Sequence, residues 1–470
     1  MKKILSILLL AFAVSLAQAV VVADSAQQAV NRFASDPMFR HASLSVAVSS
    51  IQGDSVIASH NIDLSCITAS TMKTVTSATA LRLLGPDYTF VTRVNLVGEI
   101  KGDRFKGNVV VVGAGDPTLG SVYFPANPDI VGEVLQALRA RGIRKIEGLI
   151  VIDSSHIPFP AYNGWWDVGD LAWDYGMGIH GLNFIDNRTH FKFKASMGQM
   201  LYSSFSPAVP GLQVINRLDT VNRDDINLLL EYANPALVVT GSAQAGQDYD
   251  MLIANPLPGA VLADSMGRTL TANGIKIKVK DNALAKVKHP TTTLLVEHNS
   301  QPLSEIIASL LDRSDNMFTE GVLRAIAHHS SRKATAAQGA AVVDSLWRAS
   351  GIDTKPLFQY DGSGLARANK NSARFFVQML DLMAKTPCKG VYLHRLMPTA
   401  SRRIGPLLQR HALDKDIVLK SGSMSGVQCF VGYYPAIDPQ YTFAVLVNGW
   451  NGSRADVKDR ISTMLIGIFQ

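Results

Sequence analysis

Cysteine is scarce in this chain of 470 residues: Cys66, Cys388 and Cys429 are the whole complement. An odd number of thiols rules out a disulfide framework and allows at most one internal bridge, for which Cys388 with Cys429 is a conceivable pair beside the alternative of free buried thiols. Runs of lysine and arginine are missing too, so nothing implies a nucleic-acid partner. No window beyond the first residues is apolar enough for a membrane-spanning helix. A His-Glu-x-x-His helix is absent, and His328-His329 puts neighbouring side chains on different parts of a helix surface, which disfavours a metal centre. No metal or organic cofactor is expected.

What the chain does have begins with a leader. Lys2 and Lys3 give a positive start, Ile4 to Leu16 an apolar stretch too short to span a bilayer comfortably, and Ala17-Gln18-Ala19 a small-residue cleavage site. Residues 1–19 therefore read as a signal peptide. No cysteine follows the cleavage point, so there is no lipoprotein signature, and the mature protein is expected in the periplasm or otherwise outside the cytoplasm without a stable membrane anchor. The formal charge of +7 falls by two when the leader leaves. A balance this small serves solubility and also tolerates polyanionic surroundings.

A prior of ~150 residues per domain suggests two or three domains. Residues 44 to 57 alternate apolar and polar and pass through Gln52-Gly53-Asp54, the pattern of a strand and hairpin turn. From Ser70 the spacing of Met72, Val75, Ala78, Leu81 and Leu84 predicts a buried helix stopped by Gly85-Pro86. Between Val91 and Val296 short β-rich runs such as 108–112 and 149–152 alternate with turns, with one clear helical stretch at 129–141 and a loop at 158–176 carrying Trp165, Trp166 and Trp173. Helical spacing returns over 304–327 through Ile306, Leu310, Leu311, Met317, Val322 and Ile326. Further helices are expected over 334–350 and 372–383, then strand-like runs at 417–419 and 442–447 and a terminal helix after Ala455. The fold class is mixed α/β (α+β).

The chemistry lies in three short motifs whose order matters more than their presence. Ser-x-x-Lys occurs at Ser70-Thr71-Met72-Lys73 and at Ser330-Ser331-Arg332-Lys333. Ser-x-Asn occurs at Ser59-His60-Asn61 and Ser314-Asp315-Asn316, and Lys-Ser-Gly only at Lys420-Ser421-Gly422. Penicillin-recognising enzymes carry Ser-x-x-Lys, Ser-x-Asn and Lys-Thr/Ser-Gly in that order. Only the set beginning at Ser70, Ser314 and Lys420 satisfies it. Ser70 and Lys73 share a helix face, so the amine can reach the hydroxyl. Ser330 instead sits in a polar stretch that reads as a solvated helix end. The lysine motif follows strand-like Ile417-Val418-Leu419, where an edge strand could take on a bound peptide as an extra strand.

On these motifs the chain resembles the D-alanyl-D-alanine carboxypeptidase/endopeptidase family, the low-molecular-mass class C penicillin-binding proteins. The likeness extends to Gly113-Ala114-Gly115-Asp116-Pro117-Thr118-Leu119, Asp153-Ser154-Ser155, Leu182-Asn183-Phe184 and Asp361-Gly362-Ser363-Gly364-Leu365-Ala366-Arg367. It implies a serine β-lactamase/DD-peptidase-like transpeptidase domain over 20–90 plus 297–470. The long interval from Ser70 to Ser314 then holds a large β-rich insertion, 91–296, forming one or two extra domains, with a nested subdomain at about 188–255. In two places the chain departs from the family pattern: Ser421 stands where threonine is common, and Ile404-Gly405-Pro406-Leu407, preceded by Ser401-Arg402-Arg403, replaces the usual Gly-Thr-Leu.

The resemblance also implies roles. Ser70 attacks the penultimate D-Ala carbonyl, Lys73 is the base, and Ser314 passes a proton to the leaving nitrogen. Asn316 holds Lys73 and the substrate amide, while Asp315 points away. Lys420 and Ser421 bind the terminal carboxylate, and the N–H groups of Ser70 and of Ser423, beyond Gly422, form an oxyanion hole. Asp153 and Arg367 are further cleft candidates, equally readable as turn or ion-pair residues. The expected partners are peptidoglycan peptides, with β-lactams as covalent inhibitors. A β-lactamase uses the same trio, but small soluble lactams need no extra domains. A non-catalytic sensor is the other rival, and it has no need of all five polar residues.

Overall fold

The computed structural model describes residues 23–196, 199–220, 223–280, 284–330 and 334–470. The expected leader, 1–19, and Ser331, Arg332 and Lys333 of the second Ser-x-x-Lys lie outside them. Among the described residues no helix is long and apolar enough to cross a membrane. The chain divides into two compact units. One holds the described residues up to Pro86, Leu310–Ser314 and Ala340–Gln470; the other holds Asp87–Ser309 and Asp315–Gly339.

The first unit is built on a five-stranded antiparallel sheet in the order Val418–Met424, Val427–Tyr434, Tyr441–Asn448, Ser43–Ser50, Ser55–His60. The expected hairpin is present, with Ser50 opposite Ser55. Residues 44–49 are buried on both faces of the sheet. The side carrying Val46, Val48, Phe443 and Val445 packs on Ala26, Val30 and Phe33 of the 23–34 helix and on Val457, Ile461 and Leu465 of the Arg454–Phe469 helix. The other side mixes apolar residues with buried polar ones that are bonded: Ser45 Oγ accepts the Ala373 N–H, and Ser49 and Thr442 both donate to the buried Asp381 carboxylate, at 2.7 and 2.6 Å. Here lies the Ala373–Lys385 helix, N-capped by Ser372 Oγ on the Phe375 N–H.

The helix expected from Ser70 begins as a 3-10 turn, Ala69–Thr71, and continues as Met72–Leu84. Gly85, at φ 85°, ends it and donates its N–H to the Leu81 carbonyl. Everything from Met72 to Leu81 is buried, so this helix is covered all round rather than amphipathic. The carboxy-terminal strands include one the sequence pattern passes over, Val427–Tyr434, which lies inside the sheet between the two expected runs. Strand Val418–Met424 is at the sheet edge, and only its start is covered, by the Leu419 N–H bonding to the Pro398 carbonyl.

The second unit centres on a sheet in the order Lys276–Lys278, Lys145–Glu147, Arg104–Val112, Val91–Lys101, Thr291–Asn299, with Ile150–Asp153 also parallel to Arg104–Val112. Two helices cover it. Ile130–Ala140, within the expected 129–141 stretch, is capped by the Asp129 carboxylate. Pro258–Ala272 is a correction to the single helix expected in this region: proline at its first turn and Val261, Leu262, Met266 and Leu270 on one side mark it. The strands from Arg188 to Ala254 form two three-stranded sheets of their own.

Two histidines in this unit carry a pH signature. Burial, reinforced at His156 by the neighbouring His328, lowers the pKa of His156 and of His180 from 6.5 to about 4. The Nε2 of His180 is sealed from solvent without a partner. Between about pH 6.5 and 4 the unfolded chain binds more protons than the folded one at these sites. Stability is therefore fully present above 6.5 and declines as pH falls through 4. The thermal midpoint should drop between pH 7 and 4.5, and a His180→Gln, His156→Gln double variant should flatten that slope; an unchanged slope would refute the assignment.

Candidate active site

The Ser70 turn is a forced conformation. Ala69 has a positive φ of 45°, and Thr71 Oγ1 ties back to the Thr68 carbonyl at 2.7 Å. Two glycines permit it. A Cβ on Gly364, itself at φ 81°, would lie 1.9 Å from the Ala69 carbonyl oxygen. A Cβ on Gly422 would lie 2.5 Å from the Thr68 oxygen and 3.0 Å from the Ser70 nitrogen. The lysine-motif strand thus touches the serine turn backbone to backbone.

Lys73, one helical turn on, is fully buried and donates to Ser70 Oγ at 3.0 Å and to the Ser363 carbonyl at 2.7 Å. The loop that carries Ser363 is fixed by Asp361. This buried carboxylate accepts the N–H groups of Gly364 and Ala366 and the Nδ2 of Asn369, at 2.7, 2.6 and 2.8 Å. Thr76 Oγ1 donates to the Gly362 carbonyl. The family-like segment 361–367 therefore contributes a rigid acceptor for the lysine, a use that no local sequence signal specifies. Arg367, at its end, donates to the Ser425 carbonyl at 3.0 Å.

Lys420 is also fully buried and donates to Ser314 Oγ at 2.9 Å and to the Ser421 carbonyl at 2.8 Å. Burial pushes its ammonium well below the ordinary lysine value. The nearby cations Lys73 and Arg403 add to that, and the Asp312 carboxylate opposes it. Ser70, Lys73, Ser314, Lys420, Ser421, Gly422 and Ser423 all belong to the first unit, with Ser421 half-buried and Ser423 exposed.

Ser314 interrupts the expected 304–327 helix. At φ 58° it separates Leu303–Arg313 from Asn316–Ser330. The second helix starts because Asp315 caps it, its Oδ1 accepting the Phe318 N–H at 3.0 Å. The other oxygen pairs with Arg188 at 3.3 Å, with 1% of the Asp315 side chain exposed. Asp315 is thus a structural anchor of the second unit. Asn316 also lies in that unit, where its Nδ2 donates to the Tyr175 carbonyl at 2.7 Å. Asp153 is there too: its carboxylate accepts the Ser155 N–H at 3.0 Å, and the hydroxyl and N–H of Ser155 lower its pKa. The other family-like segments meet in the same place. Gly113 N–H bonds to the Asp153 carbonyl, Gly115 N–H to Gly181, and Asn183 Nδ2 to the Asp116 carbonyl.

The coincidental motif partner Ser330 bonds to the Ala327 carbonyl of its own helix. All three cysteines are free. Among the described residues no group of three or more acidic, histidine or cysteine side chains is placed to hold a metal ion.

A profile of the D-Ala-D-Ala carboxypeptidase 3 (S13) family matches residues 26–466. The chain belongs to that family. As a D-Ala-D-Ala carboxypeptidase it is a serine-type peptidase, and its relatives agree. A protein of Haemophilus influenzae named D-alanyl-D-alanine carboxypeptidase DacB is 25% identical over 427 residues, 87% of this chain and 86% of the relative. A D-alanyl-D-alanine carboxypeptidase of Actinomadura sp. strain R39 is 27% identical over 419 residues, 84% of this chain and 76% of that one. In fold the carboxypeptidase is similar to the crystal structure of penicillin binding protein 4 from Haemophilus influenzae, with a TM-score of 0.74 at 24% identity over 90% of this chain and 95% of that one. The same Haemophilus protein in complex with a β-lactam gives a TM-score of 0.71 at 22% identity, over 91% and 96% of the two chains.

Proposed function

We propose that this carboxypeptidase, working outside the cytoplasm after loss of residues 1–19, cleaves D-Ala-terminated stem peptides and D-Ala crosslinks of peptidoglycan through an acyl-enzyme on Ser70. The observation that carries the reading is the pair of buried lysine–serine contacts, Lys73 on Ser70 and Lys420 on Ser314, in one compact unit.

Ser70 Oγ attacks the carbonyl carbon of the penultimate D-Ala while Lys73 Nζ takes the hydroxyl proton, which requires the neutral amine. Two buried cations close enough to perturb one another favour loss of a proton from the pair. Negative charge gathers on the carbonyl oxygen, where the N–H groups of Ser70 and Ser423 receive it, each donor worth ~3 kcal/mol in comparable sites. The carbon–nitrogen bond then breaks. Because Lys420 donates to Ser314 Oγ, the serine can pass its own proton to the departing amine and take one back from the buried lysine pair, which holds the proton removed from Ser70. Asn316 orients the substrate amide, and Lys420 with Ser421 receives the terminal carboxylate. Water then cleaves the ester and restores Ser70. A β-lactam presents its carboxylate and ring amide in the same way and leaves its acyl group on Ser70. The peptidase domain is read as 20–90 with 297–470, the insertion as 91–296 with 188–255 nested in it, and Asp153 and Arg367 as outlying cleft residues.

Intact-mass analysis after incubation with a fluorescent penicillin should find one acyl adduct on the wild type and none on Ser70→Ala, with D-Ala released from a D-Ala-D-Ala-ended muropeptide. Rapid penicillin turnover would make it a β-lactamase. An adduct without D-Ala release would make it a sensor.

A further inference from the structure

The helix Leu303–Arg313 ends at a serine in the left-handed region, a place where glycine is usual. Such an ending leaves last-turn carbonyls needing partners from elsewhere in the fold. Asp312 finds one. Its carbonyl and its Oδ1 both accept from Nη2 of Arg403, each at 2.6 Å. The guanidinium is 20% exposed and the carboxylate 63%. An ion pair open to solvent on its acidic side adds little to stability, so the value of the contact is geometric. It ties residue 312 to residue 403 two positions before the serine hydroxyl that meets Lys420. Arg403 comes from Ser401-Arg402-Arg403, where the chain departs from the family pattern, and this bond gives the departure a use.

We propose that Arg403 is a positioning residue of acyl transfer: by clamping Asp312 it fixes the left-handed turn that holds the Ser314 hydroxyl against Lys420. The proposal rests on Ser314 carrying the proton to the leaving group. Without the clamp the 312–314 turn relaxes, and Ser314 drifts from the position in which it can both accept from Lys420 and donate to substrate. Displacements of ~1 Å at a reacting group cost up to ~10²-fold in rate. Loss of the clamp, with helix and capping still present, should cost about tenfold. A lysine at 403 keeps the charge but loses the planar fork, and should recover part of the rate.

The test uses the full mature chain and follows acylation by a fluorescent penicillin together with kcat and KM on a D-Ala-D-Ala-ended peptide. Arg403→Ala, Arg403→Lys and Asp312→Ala are each compared in the native and Ser314→Ala backgrounds, with thermal midpoints as the folding control. Arg403→Ala should lower kcat and the acylation rate about tenfold with KM little changed, and Arg403→Lys should lie between it and wild type. In the Ser314→Ala background the Arg403 change should bring no further loss, because both act through one group. Asp312→Ala should slow the reaction in the same sense. An Arg403→Ala enzyme with the wild-type rate overturns the clamp, as does a loss that multiplies with that of Ser314→Ala. A rise in KM alone with Asp312→Ala unaffected also overturns it, placing Arg403 on the substrate carboxylate instead. Should Arg403→Ala not fold, the same comparisons with Arg403→Lys decide. A wild-type chain that forms no Ser70 adduct would fault the functional reading itself, a result distinct from all of these.

Discussion

Lys73→Met should give a folded protein that still binds penicillin reversibly but acylates ~10²–10⁴-fold more slowly, the span associated with loss of a positioned general base. Methionine fills nearly the same volume, so the all-buried Met72–Leu84 helix keeps its packing. What disappears is the proton acceptor 3.0 Å from Ser70 Oγ and the donor to the Ser363 carbonyl. Losing the buried donor to that carbonyl costs about 1–3 kcal/mol, visible as a lower thermal midpoint without loss of the fold. A second effect separates this residue from a merely structural one. Lys73 is one of the cations that depress Lys420, so its removal should raise the Lys420 pKa toward the ordinary lysine value. Reversible binding of carboxylate ligands should then persist to higher pH in the variant than in the wild type. Stopped-flow acylation and a pH series of ligand binding read both, and an acylation rate within a few-fold of wild type would remove Lys73 from the role of base.

The other large effect is expected at Gly422→Ala. The smallest possible side chain there would stand 2.5 Å from the Thr68 oxygen and 2.8 Å from the Thr71 nitrogen, so either the strand or the serine turn has to retreat. The neighbours are backbone atoms with no rotamer to give. Overpacking of this kind costs roughly 1–3 kcal/mol of stability. The kinetic consequence is larger, because the N–H groups of Ser70 and Ser423 lie on the two surfaces being driven apart and loss of one oxyanion donor alone is worth ~10²–10³ in rate. Acylation should fall by at least that much while the far-ultraviolet circular dichroism stays native. Retention of wild-type acylation would place the oxyanion hole elsewhere.

The site was legible where chemistry and local periodicity coincide. Ser70 and Lys73 lie three apart in a helix whose apolar spacing is plain, and Lys420 follows an evident strand. The break at Ser314 is hidden in the sequence, since the apolar rhythm from Ile306 to Ile326 continues across it. The signal was there in Ser-Asp-Asn, residues that cap helices better than they sit inside them. Strand Val427–Tyr434 escaped because it is buried on both faces, so the alternation that betrays a half-exposed strand is missing. Helix Pro258–Ala272 was masked by the β-rich runs around it. Contacts such as Asp361 with Asn369, or Arg403 with Asp312, join segments whose approach only the folded chain decides.

The pairing of Ser43–Ser50 with Tyr441–Asn448 bears on how the molecule comes into being. These neighbours in the sheet are separated by nearly the whole chain, so during synthesis the first strand has only its hairpin partner Ser55–His60 beside it until the last strand arrives. Lys420 and its strand emerge as late, whereas residues 87–309 have most of their own partners much earlier. The hydrolytic centre is thus among the last parts to assemble, and a nascent or truncated chain carries Ser70 without the second lysine it works beside. On the proposed assignment of Ser70 and Lys420, activity is withheld until the polypeptide is essentially finished.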